Sequence, residues 1–112
     1  MSDEINMIKE NDAVPFMEGP ELCRKYVQTE KITFGTSRLP VGGRGAKDPG
    51  HKDSEEVFFC IEGRVLLFVE ESDNYYEMSP GDAVLVHKGV SHTLINIGDV
   101  PALLSWSMAP SE

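Results

Sequence analysis

From Leu22 onward the sequence is a succession of short runs rich in β-branched and aromatic residues, separated by turn-forming residues, with no convincing helical stretch among them. The runs fall at 23–27, 32–39, 56–62, 64–70, 75–78, 83–86, 93–97 and 102–108. Short strands at this regular spacing predict an all-β sandwich or barrel. Gly35, inside one run, marks a bulge or a close approach of another chain segment. The stretch 40–50 holds Gly42, Gly43, Gly45, Pro49 and Gly50 and predicts an exposed loop. The runs 56–62 and 64–70 abut at Gly63, which predicts a hairpin. Both faces of these two strands are apolar, so one face is expected to be covered by a second sheet or by a second subunit. Residues 1–21 carry few apolar positions and three breakers, Pro15, Gly19 and Pro20, and are expected to form an arm or edge segment ahead of one domain spanning 22–112. A chain of 112 residues is long enough for a single core without staples.

Charge narrows the partners. Ten Lys and Arg stand against 19 Asp and Glu, a formal net charge of −9, and no basic cluster interrupts the acidic average. A nucleic acid or an anionic membrane surface is therefore not an expected partner. No apolar run is long enough to span a bilayer. The opening Met1-Ser-Asp-Glu is acidic and no long apolar stretch follows, which predicts a cytoplasmic protein. Cys23 and Cys60 lack metal-ligand spacing and fit buried thiols better than a disulfide.

The three histidines, His51, His87 and His92, all fall at strand ends or loop-to-strand junctions of the β-rich half. Histidine is the commonest transition-metal ligand, and the mouth of a β-barrel gathers ligands from distant strands. Two spacings are specific. The first is Gly81-x5-His87-x-Gly89-x2-His92-x3-Asn96, and the second is Gly43-x5-Pro49-x-His51-x4-Glu56-x6-Gly63. They resemble the two motifs of the cupin superfamily, the second motif in one position carrying His87 where the family has proline, the first carrying Pro49 where the family has its first histidine. A competing register for the first motif runs Gly45-x5-His51-x-Asp53.

The resemblance implies a jelly-roll, or double-stranded β-helix, cupin barrel, and it covers 43–96. It also implies a divalent metal ion held by His51, Glu56 and His92, a two-histidine, one-carboxylate set that accepts Fe, Mn, Ni, Co or Zn. By the same resemblance the protein is a metal-dependent enzyme acting on a small polar metabolite, a sugar or carboxylate, by isomerase, dioxygenase or lyase chemistry. Two alternatives stay open: a cupin that binds a small ligand without catalysis, and a metal-free epimerase or isomerase. His87 is a candidate acid/base, and a homodimer is expected from the two-faced apolar strands and the arm. Arg38 is a lesser candidate for holding an anionic group. Tyr26, Phe58, Cys60, Trp106 and Met108 are candidate cavity residues that equally suit a core. Gly42-Gly43-Arg44-Gly45 has no helix after it to complete a phosphate site and is expected to be a flexible rim.

Overall fold

The computed structural model describes residues 4–112 and contains nine strands, with single 3-10 turns at Glu10–Asp12 and Glu70–Ser72 and no α-helix among the described residues. The strands are β1 (Val14–Glu18), β2 (Glu21–Gln28), β3 (Thr33–Leu39), β4 (Glu55–Glu62), β5 (Val65–Val69), β6 (Asn74–Met78), β7 (Ala83–Val86), β8 (Thr93–Asn96) and β9 (Ala102–Ala109). They form two antiparallel sheets, one ordered β1-β2-β3-β9-β4-β7 and the other β6-β5-β8. This is the all-β jelly-roll architecture, and no helix among the described residues is long and apolar enough to cross a membrane.

Strand alternation builds the core. Along β4, Glu56, Phe58 and Cys60 are buried while Val57, Phe59 and Ile61 face out. Val65 and Leu67 of β5, Leu94 of β8, and Ala102, Leu104 and Trp106 of β9 close the other sides of the same cluster, joined by Leu39, Met78 and Val86. The inner face of each sheet is thus covered by the other. Asn96 ties off the end of β8: its amide donates to the Leu39 carbonyl at 3.1 Å and the Val100 carbonyl at 2.9 Å, and its oxygen accepts from the Gly98 N–H.

Gly35 is a close-approach position. A Cβ there would lie 2.3 Å from Trp106 Cζ2 and 2.4 Å from the Arg24 carbonyl oxygen, so the indole packs where a side chain would otherwise stand. The indole Nε1–H donates to Ser37 Oγ at 3.1 Å, which satisfies its polar edge inside the core.

Two expectations need correction. The strands on either side of Gly63 are not a hairpin: β4 pairs with β7 and β9, β5 pairs with β6 and β8, and the chain steps from one sheet to the other between them. Both edges of each strand are occupied by other partners, and a register shift between Cys60 and Glu62 turns β4 out of its sheet just before the step. The segment around Arg44 is not a free rim either. Gly45 N donates to the Leu94 carbonyl and Asn96 N to the Gly43 carbonyl, so the glycines let this stretch lie along β8. Val14–Glu18 lies at the edge of the larger sheet, paired to β2 through the Phe16–Cys23 register.

A candidate metal centre in the barrel cavity

Beyond Arg44 the chain continues along β8 to Asp48, whose N–H donates to the His92 carbonyl at 2.8 Å while His92 N donates back at 2.9 Å. This pairing sets Asp48 beside His92. The chain then turns sharply: Asp48 Oδ1 accepts from the Gly50 N–H at 2.8 Å, and Gly50 has φ of +89°, with the place of a Cβ only 2.8 Å from the Val90 carbonyl oxygen. The Gly89 N–H donates to the His51 carbonyl at 2.6 Å and closes the turn. His51 is thereby carried over the cavity, opposite the inward-facing Glu56 of β4.

Four side chains converge. Glu56 Oε1 lies 3.3 Å from His51 Nε2 and 3.6 Å from His92 Nε2, and Asp48 Oδ2 lies 3.7 Å from His92 Nε2. Donor atoms of Asp48, His51 and Glu56 all fall within 4.8 Å of one another. His92 is 2% exposed, and the two distances from its Nε2 are too long for hydrogen bonds, so this nitrogen is buried without a partner among the described residues. Its other nitrogen is 3.0 Å from the Val90 carbonyl, an acceptor only, which places a proton on Nδ1. The Phe58 ring meets the imidazole edge to face at 5.5 Å and holds its plane. Burial opposes a charge on His92, yet the Glu56 carboxylate, the Val90 carbonyl and Asp48 outweigh it and hold its pKa above the ordinary histidine value. Surroundings that favour a proton on Nε2 favour a metal ion there too, and the donor set fits one.

The cavity beside this cluster encloses about 200 Å³ and is walled by Phe16, Phe58, Trp106 and Met108, with Glu18, Lys25 and Gln28 on its polar side. A second acidic cluster, Glu18, Glu21 and Cys23, lies on β1 and β2. Burial pushes the Cys23 thiol up to about 12, and its sulfur sits 3.4 Å from Glu21 Oε2 and 3.5 Å from Ser37 Oγ. Cys60 is likewise free and buried.

The structure therefore brings His51, Glu56 and His92, the set the cupin resemblance implies, close together. His87 goes elsewhere: it is exposed, its Nδ1 is 2.9 Å from Glu55 Oε2, and it borders a separate groove with Leu67, Tyr76 and Leu85. Glu55 and Glu56 project from opposite faces of β4, which accounts for the separation. Arg38 is exposed on β3, Tyr26 packs edge to face on Phe34, and Asp53 is exposed outside the cluster. The residue that motif reasoning missed is Asp48, one position before Pro49. The run Asp48-Pro49-Gly50 is a turn-forming signal that would have directed attention to its side chain.

A jelly-roll barrel in which a second imidazole and two carboxylates surround the buried, unpartnered Nε2 of His92 defines a candidate divalent-metal centre. The chain belongs to the cupin family: the family model described as the cupin domain matches residues 35–108. It is 35% identical over 80 residues to the germin-like protein subfamily 1 member 1 of Arabidopsis thaliana, an alignment covering 68% of this chain but 37% of that protein. The chain thus spans little more than a third of that relative's length. Among solved structures, KdgF from Halomonas sp. superposes with a TM-score of 0.79 at 14% identity, covering 96% of this chain and 94% of that one. The FeII HppE structure gives 0.82 at 14% identity, covering 96% of this chain and 62% of that one. At these identities the two structures share the fold.

Proposed function

We propose that the cavity holds a divalent metal ion through His51, Glu56 and His92, with Asp48 as a fourth donor, and that the protein is an enzyme acting on a small polar metabolite of the sugar or carboxylate type. The observation that carries this reading is His92 Nε2, buried and without a hydrogen bond while facing two carboxylates. Leaving such a group unpaired costs about 1–3 kcal/mol, and a bound ion removes that cost. The mixed donor set suits Fe, Mn, Ni, Co or Zn, and one relative by fold is described with Fe(II). When bound, such an ion supplies Lewis-acid polarisation of a substrate oxygen.

The chain's own residues supply the rest. The aromatic wall of Phe16, Phe58 and Trp106 packs against the carbon skeleton and keeps water out, while Glu18, Lys25 and Gln28 offer polar contacts for hydroxyl or carboxylate groups. A cavity of about 200 Å³ that opens to solvent suits the reacting end of a small metabolite. We also propose that the protein is a homodimer, supported by the exposed apolar stripe Val57, Phe59 and Ile61 of β4 beside Leu85 of β7.

Elemental analysis of the purified protein tests the metal reading. Near-stoichiometric metal is expected in the wild type, loss in His92→Ala and His51→Ala, and weaker retention in Asp48→Asn. A wild type that takes up no ion after reconstitution with Fe²⁺, Mn²⁺ and Zn²⁺ overturns it.

A further inference from the structure

Glu112 lies outside the segment matched to the cupin domain, yet its carboxylate reaches the candidate metal centre. Its Oε2 is 3.1 Å from His51 Nδ1, on the side of the imidazole away from Glu56, and its Oε1 accepts from the Asp53 N–H at 3.0 Å. The segment carrying it is anchored at two further points. Ser111 Oγ and Thr33 Oγ1 share a hydrogen bond of 2.7 Å, and Ser54 Oγ donates to the Pro110 carbonyl. Residues 110–112 are thus pinned to β3 and to the loop between His51 and β4, and they deliver a carboxylate to the back of the His51 ring.

We propose that Glu112 is a positioning residue for His51. An anion 3.1 Å from Nδ1 keeps a proton on that nitrogen, so that a metal ion would displace only the proton Nε2 shares with Glu56 at 3.3 Å and take up the lone pair on the cluster side. A carboxylate behind a metal-bound imidazole also fixes the ring's rotation and raises its basicity as a ligand. His92 achieves the same end by a different route, through the Val90 carbonyl. The two histidines are therefore each set by an acceptor on Nδ1, one from its own loop and one from a segment distant in sequence. This inference rests on the metal reading above.

The test is competition of Zn²⁺ between a chromophoric chelator and the full chain, for wild type, Glu112→Gln and Glu112→Ala. Alongside it, ¹⁵N spectra of the Zn²⁺-loaded protein report which His51 nitrogen carries the proton, and thermal melts of the chelated protein report the fold. Affinity is expected to fall about 10–100-fold in Glu112→Ala. It falls by less in Glu112→Gln, whose amide oxygen still accepts a hydrogen bond without the charge. Chelated-state melting is unchanged, and His51 of the wild type is protonated at Nδ1. Equal Zn²⁺ affinity in all three proteins, or a wild-type His51 protonated at Nε2, overturns the positioning role while leaving the metal centre standing. If Glu112→Ala melts early, the comparison of Glu112→Gln with wild type decides. A wild type that binds no Zn²⁺ overturns the metal reading itself, and this role with it.

Discussion

Glu21 is buried at 5% exposure at the start of β2, and its carboxylate faces Cys23. Burial raises its pKa above the ordinary glutamate value, hydrogen bonds from Ser37 and Cys23 pull the other way, and Glu56 and Asp48 add repulsion. A carboxyl whose folded pKa is raised contributes stability that is complete below its unfolded pKa and is lost as pH rises through the folded value. Glu21→Gln is therefore expected to stabilise the chelated protein at pH 7, where the buried carboxylate is charged, and to lose that gain at pH 4, where the carboxyl is protonated in both states. Urea melts at the two pH values check this, and a gain of equal size at both would refute the electrostatic account. The same scale shows what the candidate site owed to sequence. His51, Glu56 and His92 were legible through the resemblance of two stretches to the cupin motifs, and nothing in their local residues alone singles them out. Asp48 was hidden because its approach to His92 comes from backbone pairing between 44–48 and β8, a tertiary contact no local pattern reports. Glu112 was hidden because its place depends on two hydroxyl anchors distant in sequence.

Among the elements, runs dense in β-branched and aromatic residues located their strands to within about two residues, since strand residues on two packed inner faces select that composition. Which strand pairs with which did not follow. A glycine between two apolar runs signals reversal of the chain, but reversal into the same sheet and passage into the facing sheet leave the same local mark, and only edge occupancy by β7 and β9 tells them apart. Gly35 gives the sharpest test of packing at this level, because β2, β3 and β9 meet there. An added methyl has no room to relax: one obstacle is the Trp106 ring, itself held by Ser37, and the other is the Arg24 main chain. Gly35→Ala is expected to cost about 3 kcal/mol, the upper end of overpacking penalties, and to alter Trp106 fluorescence. A denaturation midpoint equal to wild type would show that β2 and β9 yield where the packing says they cannot.

For the whole molecule, two features act against each other in the expected dimer. The outward side of β4 presents Val57, Phe59 and Ile61 at successive alternate positions, with Leu85 directly across from Val57 on the edge strand β7. All four are between 39% and 50% exposed, and joining two such stripes removes apolar surface from water. A net charge of −9 per chain opposes the union, since two copies approach as like-charged bodies. Repulsion is screened by salt, with a Debye length of about 8 Å at physiological ionic strength and about 3 Å at 1 M, whereas apolar burial persists. Dimer fraction at micromolar concentration is therefore expected to rise with sodium chloride. Phe59→Lys should shift the mass to that of a monomer, because it places a charge at the centre of the stripe, while leaving the inward core of β4 intact. Light scattering across a salt series on both proteins measures this. A wild type that remains monomeric from low salt to 1 M would show that the stripe is not a self-association surface. A Phe59→Lys protein as dimeric as wild type would place the contact on another face.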